Sequence, residues 1–231
     1  TNVLELGSSE FRLGSAVACY RVYEDEQVAA KFPGLVDSAS IIGGVQIQSR
    51  AGLGGNLCNA SPSGDGIGAL IVHAATCVIA GPNGTREVPA EDFCTGPGRS
   101  VLEDGEFLVE IKMPMPQKGF GAAYERFTPR NEMDIAVAGV ASSVQLDGDT
   151  IVSARVALAA VGPTPILSSA GDFLAGKKAT AENISAAAQA ASGDASPISD
   201  MRGTAEQRIH LVGVLTRRTL ERAVERARES N

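Results

Sequence analysis

The sequence has 231 residues, 44% of them hydrophobic and 20% charged, which is ordinary for a globular chain and enough for one large domain or two small ones. Its formal net charge of −7 argues against a nucleic-acid surface, which needs clustered Lys and Arg. No apolar run approaches the roughly 20 residues that span a bilayer, and residues 1–7 lack the basic and apolar regions of a secretory signal, so a cytoplasmic protein is expected.

Residues 10–18 alternate apolar and polar at Phe11, Leu13 and Ser15, as a half-buried strand does. A helix is predicted over residues 20–31, with Glu24, Asp25 and Glu26 near its start. Pro33-Gly34 interrupts the chain, and a second helix is predicted over 35–42, ending at Gly43-Gly44. Residues 45–48 are too few to classify, and a glycine-rich loop follows them. Past Asp65, the spacing of Ile67, Leu70, Ile71, Ala74 and Ala75 is helical. Residues 77–80 and 85–89 read as a hairpin around Gly81-Pro82-Asn83-Gly84, and residues 106–113 as a further strand. Pro114-Met115-Pro116 can continue neither helix nor ladder, which places the main boundary between residues 1–116 and 117–231.

In the second part, strands are predicted over 135–144 and 150–161, joined through Asp147-Gly148-Asp149. An alanine-rich helical region covers 166–195. The last helix opens on a capping box, with Thr204 as cap and Gln207 three residues later. Ile209, Val212, Leu215, Leu220 and Val224 form its expected buried face; Arg217, Arg218, Glu221, Arg222 and Glu225 form a solvated face with i,i+4 pairs. The fold class is α+β: an antiparallel sheet with helices, then a smaller antiparallel sheet followed by helices.

Metal-binding and catalytic patterns are scarce. Cys19, Cys58, Cys77 and Cys94 contain no C-x-x-C pair, so a zinc or iron–sulfur cage from this chain alone is not expected; they read as reduced, mostly buried thiols. His73 and His210 each lie in an apolar helical pattern and read as structural histidines. Ser63 has neither a G-x-S-x-G elbow nor a nearby histidine, and Glu103, Asp104 and Glu106 read as a solvated cluster in a turn. Residues 64–69 match the G-x-G-x-x-A form of the dinucleotide fingerprint, but Ala60-Ser61-Pro62-Ser63 stands where the required strand should be.

The stretch 49–65 remains. Gly52, Gly54 and Gly55 are close enough to read either as a tight turn or as a place where backbone N–H groups face an anion. In a chain of net negative charge, a phosphate must be held by local amide dipoles, and Asp65 beyond them suits a sugar or polyol hydroxyl. Together they suggest a nucleotide-type cofactor.

These residues resemble the FAD-binding medium subunit of the molybdenum hydroxylases, the carbon monoxide/xanthine dehydrogenase family. Its signature is a Thr-Ile-Gly-Gly-Asn turn followed by small residues and an Asp; here it reads Gly52-Leu53-Gly54-Gly55-Asn56, then Ala60-Ser61-Pro62-Ser63-Gly64-Asp65. Residues 88–93, Tyr124-Glu125-Arg126, Asp134-Ile135-Ala136, residues 162–165 and residues 197–206 match in the same order. The resemblance implies the second subdomain of a vanillyl-alcohol-oxidase-type FAD-binding domain over 1–116, then the CO dehydrogenase flavoprotein C-terminal domain over 117–231. It implies that Gly52, Leu53, Gly54, Gly55 and Asn56 hold the FAD pyrophosphate and that Asp65 bonds the ribityl or ribose chain. It implies as well that Leu108 packs near the isoalloxazine and that Tyr124 and Arg126 contact the ring. Relatives place Thr or Ser at the position of Gly52, so one hydroxyl donor is missing. The family's upstream glycine-rich FAD motif has no counterpart here, which leaves about half of the family's site and suggests an N-terminal truncation or a first half that is absent or separate.

The implied function is electron transfer. Oxidation of substrate takes place at a molybdopterin centre on a large partner subunit, and electrons cross two 2Fe–2S clusters on a small partner subunit to FAD here and then to an acceptor. A dimer of such heterotrimers is the expected assembly. The alternatives are an assembly subunit of the same complex that has lost FAD binding, and a free-standing flavoenzyme with its own substrate pocket.

Overall fold

The computed structural model describes residues 2–131 and 133–230. The chain opens with β1 (Leu4–Leu6) and β2 (Glu10–Gly14), whose Phe11 and Leu13 point into the core. Three short helices follow: α1 (Cys19–Tyr23), α2 (Glu26–Lys31) and α3 (Pro33–Ala39). The single helix predicted over 20–31 is therefore two. It breaks because the Asp25 carboxylate accepts the N–H groups of Gln27 and Val28, at 2.9 and 3.0 Å, and so starts a new helix. α3 begins on Pro33, whose fixed φ suits a first helical position, and stops earlier than predicted.

Next come α4 (Leu53–Cys58) and α5 (Asp65–Val72), then the predicted hairpin as β3 (Thr76–Gly81) and β4 (Gly84–Pro89). A small ribbon, β5 (Cys94–Gly96) with β6 (Arg99–Ser100), precedes β7 (Phe107–Pro114). The first sheet is antiparallel with order β1-β2-β7-β3-β4. Glu106 does not stand in a solvated cluster. It accepts two bonds from Arg86 and one from the Glu103 N–H, which hold its carboxyl down at about 2.

The second sheet contains β8 (Phe120–Phe127), β9 (Ala138–Asp147), β10 (Thr150–Ala159) and the short β11 (Ile166–Leu167), in the order β11-β10-β9-β8, all antiparallel. Gly148 takes the positive φ, +57°, that the predicted β9–β10 turn needs. β9 starts three residues later than predicted, and the region expected to be wholly helical holds β11, α6 (Ala170–Leu174) and α7 (Ala181–Asp194). α8 (Ala205–Glu229) is capped as predicted, with the Thr204 hydroxyl accepting the Gln207 N–H at 3.1 Å. It lies directly on β8: a Cβ on Gly121 would stand 2.1 Å from the Ala223 carbonyl oxygen.

Several side chains on α8 depart from the sequence reading. His210 is exposed rather than part of the core. Arg218 and Arg222 do not pair along the helix but turn to Glu125 on β8, at 2.9 and 3.8 Å. Arg208 is buried, and donates to the Val137 and Ala160 carbonyls and to Asp200 at 2.7, 3.1 and 2.7 Å.

α5 is the pivot between the two sheets. All eight of its residues are buried. Its last carbonyls are bonded from the second sheet: Ser143 Oγ donates to Val72 O at 2.8 Å, and Arg155 Nε donates at 3.0 Å to Ile71 O, which also accepts the Ala74 N–H. One core cluster accordingly joins the first sheet to Tyr124, Ala141 and Ala157 of the second part, while another lies between the second sheet and α6, α7 and α8. His73, just after α5, is a core residue as expected, with its ring between Phe32 and Phe120 at centroid distances of 5.3 and 5.5 Å. Burial lowers its pKa to about 4, so it stays neutral.

Candidate cofactor site

Gly52 is extended, with φ −138°, and is the N-cap of α4, so the predicted glycine loop is the start of a helix. None of Gly52, Gly54 and Gly55 has a positive φ. Two of the glycines answer to packing. A Cβ on Gly52 would meet the Val17 carbonyl oxygen at 2.5 Å, and one on Gly54 would meet that of Ser15 at 2.3 Å. Gly55 is different: a Cβ there would have nothing within 4 Å.

The first bond of α4 runs from the Asn56 N–H to the Gly52 carbonyl at 3.0 Å, and Gly52 has no side chain with which to cap. Among the described residues, the N–H groups of Gly54 and Gly55 have no backbone acceptor, whereas the Leu53 N–H is turned to the Val17 carbonyl in the bridge between Ala18 and Gly52. Two successive donors with the positive end of the helix behind them are chemically suited to an anion.

Asn56 works between the two helices. Its Oδ1 accepts the Gly66 N–H at 3.0 Å, capping α5 from α4 because Gly64, the α5 N-cap, offers no side chain. That bond fixes the position of Asp65, the first residue of α5.

Asp65 is where the two parts of the chain meet chemically. Tyr124 and Arg126, two apart on β8, present the same face. The Tyr124 hydroxyl donates to Asp65 Oδ1 at 2.7 Å, and Arg126 forms an ion pair with Oδ2. The side chains of Arg126 and Asp65 are 7% and 10% exposed. Burial pushes the Asp65 carboxyl above its ordinary pKa, against the opposing pull of the Arg126 charge and the Tyr124 hydroxyl. Burial, with the adjacent Asp65 charge, pushes the Tyr124 phenol well above its own, so this hydroxyl remains a donor. A carboxylate has about four lone-pair positions, so Asp65 retains capacity to accept a further hydroxyl.

Of the predicted residues, the structure thus brings Asp65, Tyr124 and Arg126 into hydrogen-bond contact and connects Asn56 to them through Gly66. Leu108 lies on β7, paired with Ile79 and buried in the first core, and makes no polar contact with this group. The G-x-G-x-x-A match at 64–69 has no strand before it, and the sheets are antiparallel, so it is no dinucleotide fingerprint. Sequence reasoning missed Asp37. Its carboxylate accepts the Tyr124 backbone N–H at 3.1 Å and is held by Arg226, and no local motif marks either residue. Among the described residues no group of three or more His, Cys, Asp or Glu could hold a metal ion, and no helix is long and apolar enough to cross a membrane.

The chain belongs to the FAD-binding medium-subunit family of the molybdenum hydroxylases: residues 2–116 match the FAD binding domain in molybdopterin dehydrogenase, and residues 122–223 match the CO dehydrogenase flavoprotein C-terminal domain. It is 33% identical over 215 residues to the xanthine dehydrogenase FAD-binding subunit of Escherichia coli O157:H7, covering 92% of this chain and 74% of that one. The carbon monoxide dehydrogenase medium chain of Hydrogenophaga pseudoflava is 36% identical over 197 residues, 85% of this chain and 68% of that one. Among solved structures, carbon monoxide dehydrogenase from Hydrogenophaga pseudoflava, in a form lacking the Mo-pyranopterin moiety, superposes with a TM-score of 0.93 at 33% identity, over 97% of this chain and 78% of that one. Quinoline 2-oxidoreductase from Pseudomonas putida 86 gives 0.89 at 28% identity, over 97% and 78%.

Proposed function

We propose that this chain is the FAD-carrying electron-transfer subunit of a cytoplasmic molybdenum hydroxylase, an oxidoreductase in which substrate is oxidised on another subunit. The observation that carries the reading is the junction of α4, α5 and β8: free amide donors at Gly54 and Gly55 on one side, and the buried Asp65–Tyr124–Arg126 group on the other. An anion and a hydroxylated chain are the two chemistries these groups receive, and FAD contains both.

In this reading the Gly54 and Gly55 amides hold the pyrophosphate, with Leu53 and the Asn56 side-chain amide beside them. Asp65 accepts a hydroxyl of the sugar-like chain. Tyr124 and Arg126 keep the Asp65 carboxylate in place and exclude water from it. Arg126 sets a fixed positive charge next to the site, which favours negative charge arriving there. FAD bound here would supply the redox chemistry that links one partner to an acceptor. Leu108 supplies an apolar wall. The absence of a hydroxyl at Gly52 makes the backbone amides the principal phosphate donors. The proposed partners are a large molybdopterin subunit and a small subunit with two 2Fe–2S clusters, assembled as a dimer of heterotrimers, with this chain divided at 116/117.

The test is co-purification of the full chain with such partners, followed by visible spectroscopy. A flavin band that bleaches on addition of the reducing substrate is expected. A complex that assembles and turns over without any flavin would contradict the reading and leave the assembly role.

A further inference from the structure

β8 is the edge strand of the second sheet, so its outward-facing backbone groups have no neighbouring strand to bond. Two of them are met by a pair of side chains from elsewhere. Asp37 on α3 accepts the Tyr124 N–H at 3.1 Å, and Arg226 near the end of α8 donates to the Ala122 carbonyl at 2.7 Å. The two side chains hold each other through bonds of 2.6 and 3.0 Å, a bidentate arrangement. An acid and a guanidinium thus stand where another strand would offer an acceptor and a donor. α3 is pressed against the same point, since a Cβ on Gly34 would lie 3.0 Å from the Tyr124-side backbone at Ala123 N. β8 is fixed from both sides at the residue whose hydroxyl reaches Asp65.

We propose that Asp37 and Arg226 are positioning residues for the cofactor site: they set β8 so that the Tyr124 hydroxyl and the Arg126 guanidinium hold Asp65 in its receiving orientation. This rests on the FAD reading above. The path is short and continuous, from the Asp37 carboxylate through the Tyr124 N–H and hydroxyl to Asp65. An edge strand that needed only solvation could take its partners from water. This one takes them from elements at opposite ends of the sequence, at Ala122 and at Tyr124, whose hydroxyl meets Asp65.

The full-length chain is titrated with FAD in wild-type, Asp37→Ala, Tyr124→Phe and doubly substituted forms. Because the chain has no tryptophan, tyrosine emission from Tyr20, Tyr23 and Tyr124 is read on the apo proteins, and the Tyr124→Phe form isolates the part that comes from Tyr124. Asp37→Ala is expected to weaken FAD binding about tenfold and to change tyrosine emission, with the double variant no weaker than its weaker single parent. Arg226→Lys, which keeps charge but loses the fork, should fall between. A folded Asp37→Ala protein that binds FAD within about twofold of wild type, or effects that add in the double variant, would overturn the proposal while leaving the FAD reading intact. If Asp37→Ala does not fold, Asp37→Asn and Arg226→Lys are judged by the same criteria. Failure of the wild-type chain to bind FAD overturns both.

Discussion

Gly54 and Gly55 are adjacent and do different work. Gly54 lets α4 approach the backbone at Ser15, whereas Gly55 faces open space. Gly54→Ala should therefore destabilise the chain, because its Cβ meets backbone that cannot yield. Gly55→Ala should leave stability unchanged or raise it by about 0.5–1 kcal/mol, the helix-propensity gain. Chemical denaturation of the two variants checks this contrast. Another single-residue effect comes from His73, whose Nε2 has no partner among the described residues. Its folded pKa of about 4 lies below the ordinary 6.5, so the unfolded chain binds a proton first as pH falls. Its neutral burial contributes fully above pH 6.5, and that stability is lost as pH drops toward 4. The loss approaches roughly 3 kcal/mol over the window. Urea midpoints at neutral and mildly acidic pH should show this slope, and His73→Leu should flatten it.

Among the elements, α8 shows best what sequence could and could not reveal. Its start at Thr204 was legible because a cap is local chemistry, read from residues three apart. The hairpin of β3 and β4 was legible for the same reason. The burial of Arg208 was not, because its acceptors, at Val137 and Ala160, come from distant strands. Nor was the break at Asp25, where a side chain competes with helix continuation. In the candidate site, Asp65, Tyr124 and Arg126 were legible only as members of a family pattern; their mutual contact is tertiary. The glycines were legible as a cluster, but not as two packing positions and one open one. α8 also yields a paired test. Arg208→Met removes the donor to two buried carbonyls and to Asp200, and should cost about 3–5 kcal/mol. His210→Ala, two residues on and exposed on another face of the helix, should stay within about 0.5 kcal/mol. Thermal or urea unfolding separates them.

At the scale of the whole molecule, the two parts matched by separate families are not separate bodies. α5 belongs to the first by sequence, but is buried against both sheets, and its C-terminal carbonyls are bonded by side chains of the second. The candidate site is assembled in the same way, with Asp65 from the first part and Tyr124 and Arg126 from the second. The chain should therefore unfold in one cooperative step, with far-ultraviolet and tyrosine signals coinciding. Leu70→Ala, at a fully buried position in α5, should lower that single transition by about 2–5 kcal/mol rather than split it.

This shared construction leads to the central claim, that the α4 amides and Asp65 together receive FAD. The most direct measurement is an equilibrium FAD titration of the full chain beside Gly55→Leu, a substitution made where the fold leaves room. The wild type should bind saturably, and Gly55→Leu should lose at least about tenfold in affinity at unchanged stability. Equal FAD binding by the two proteins would contradict the central claim.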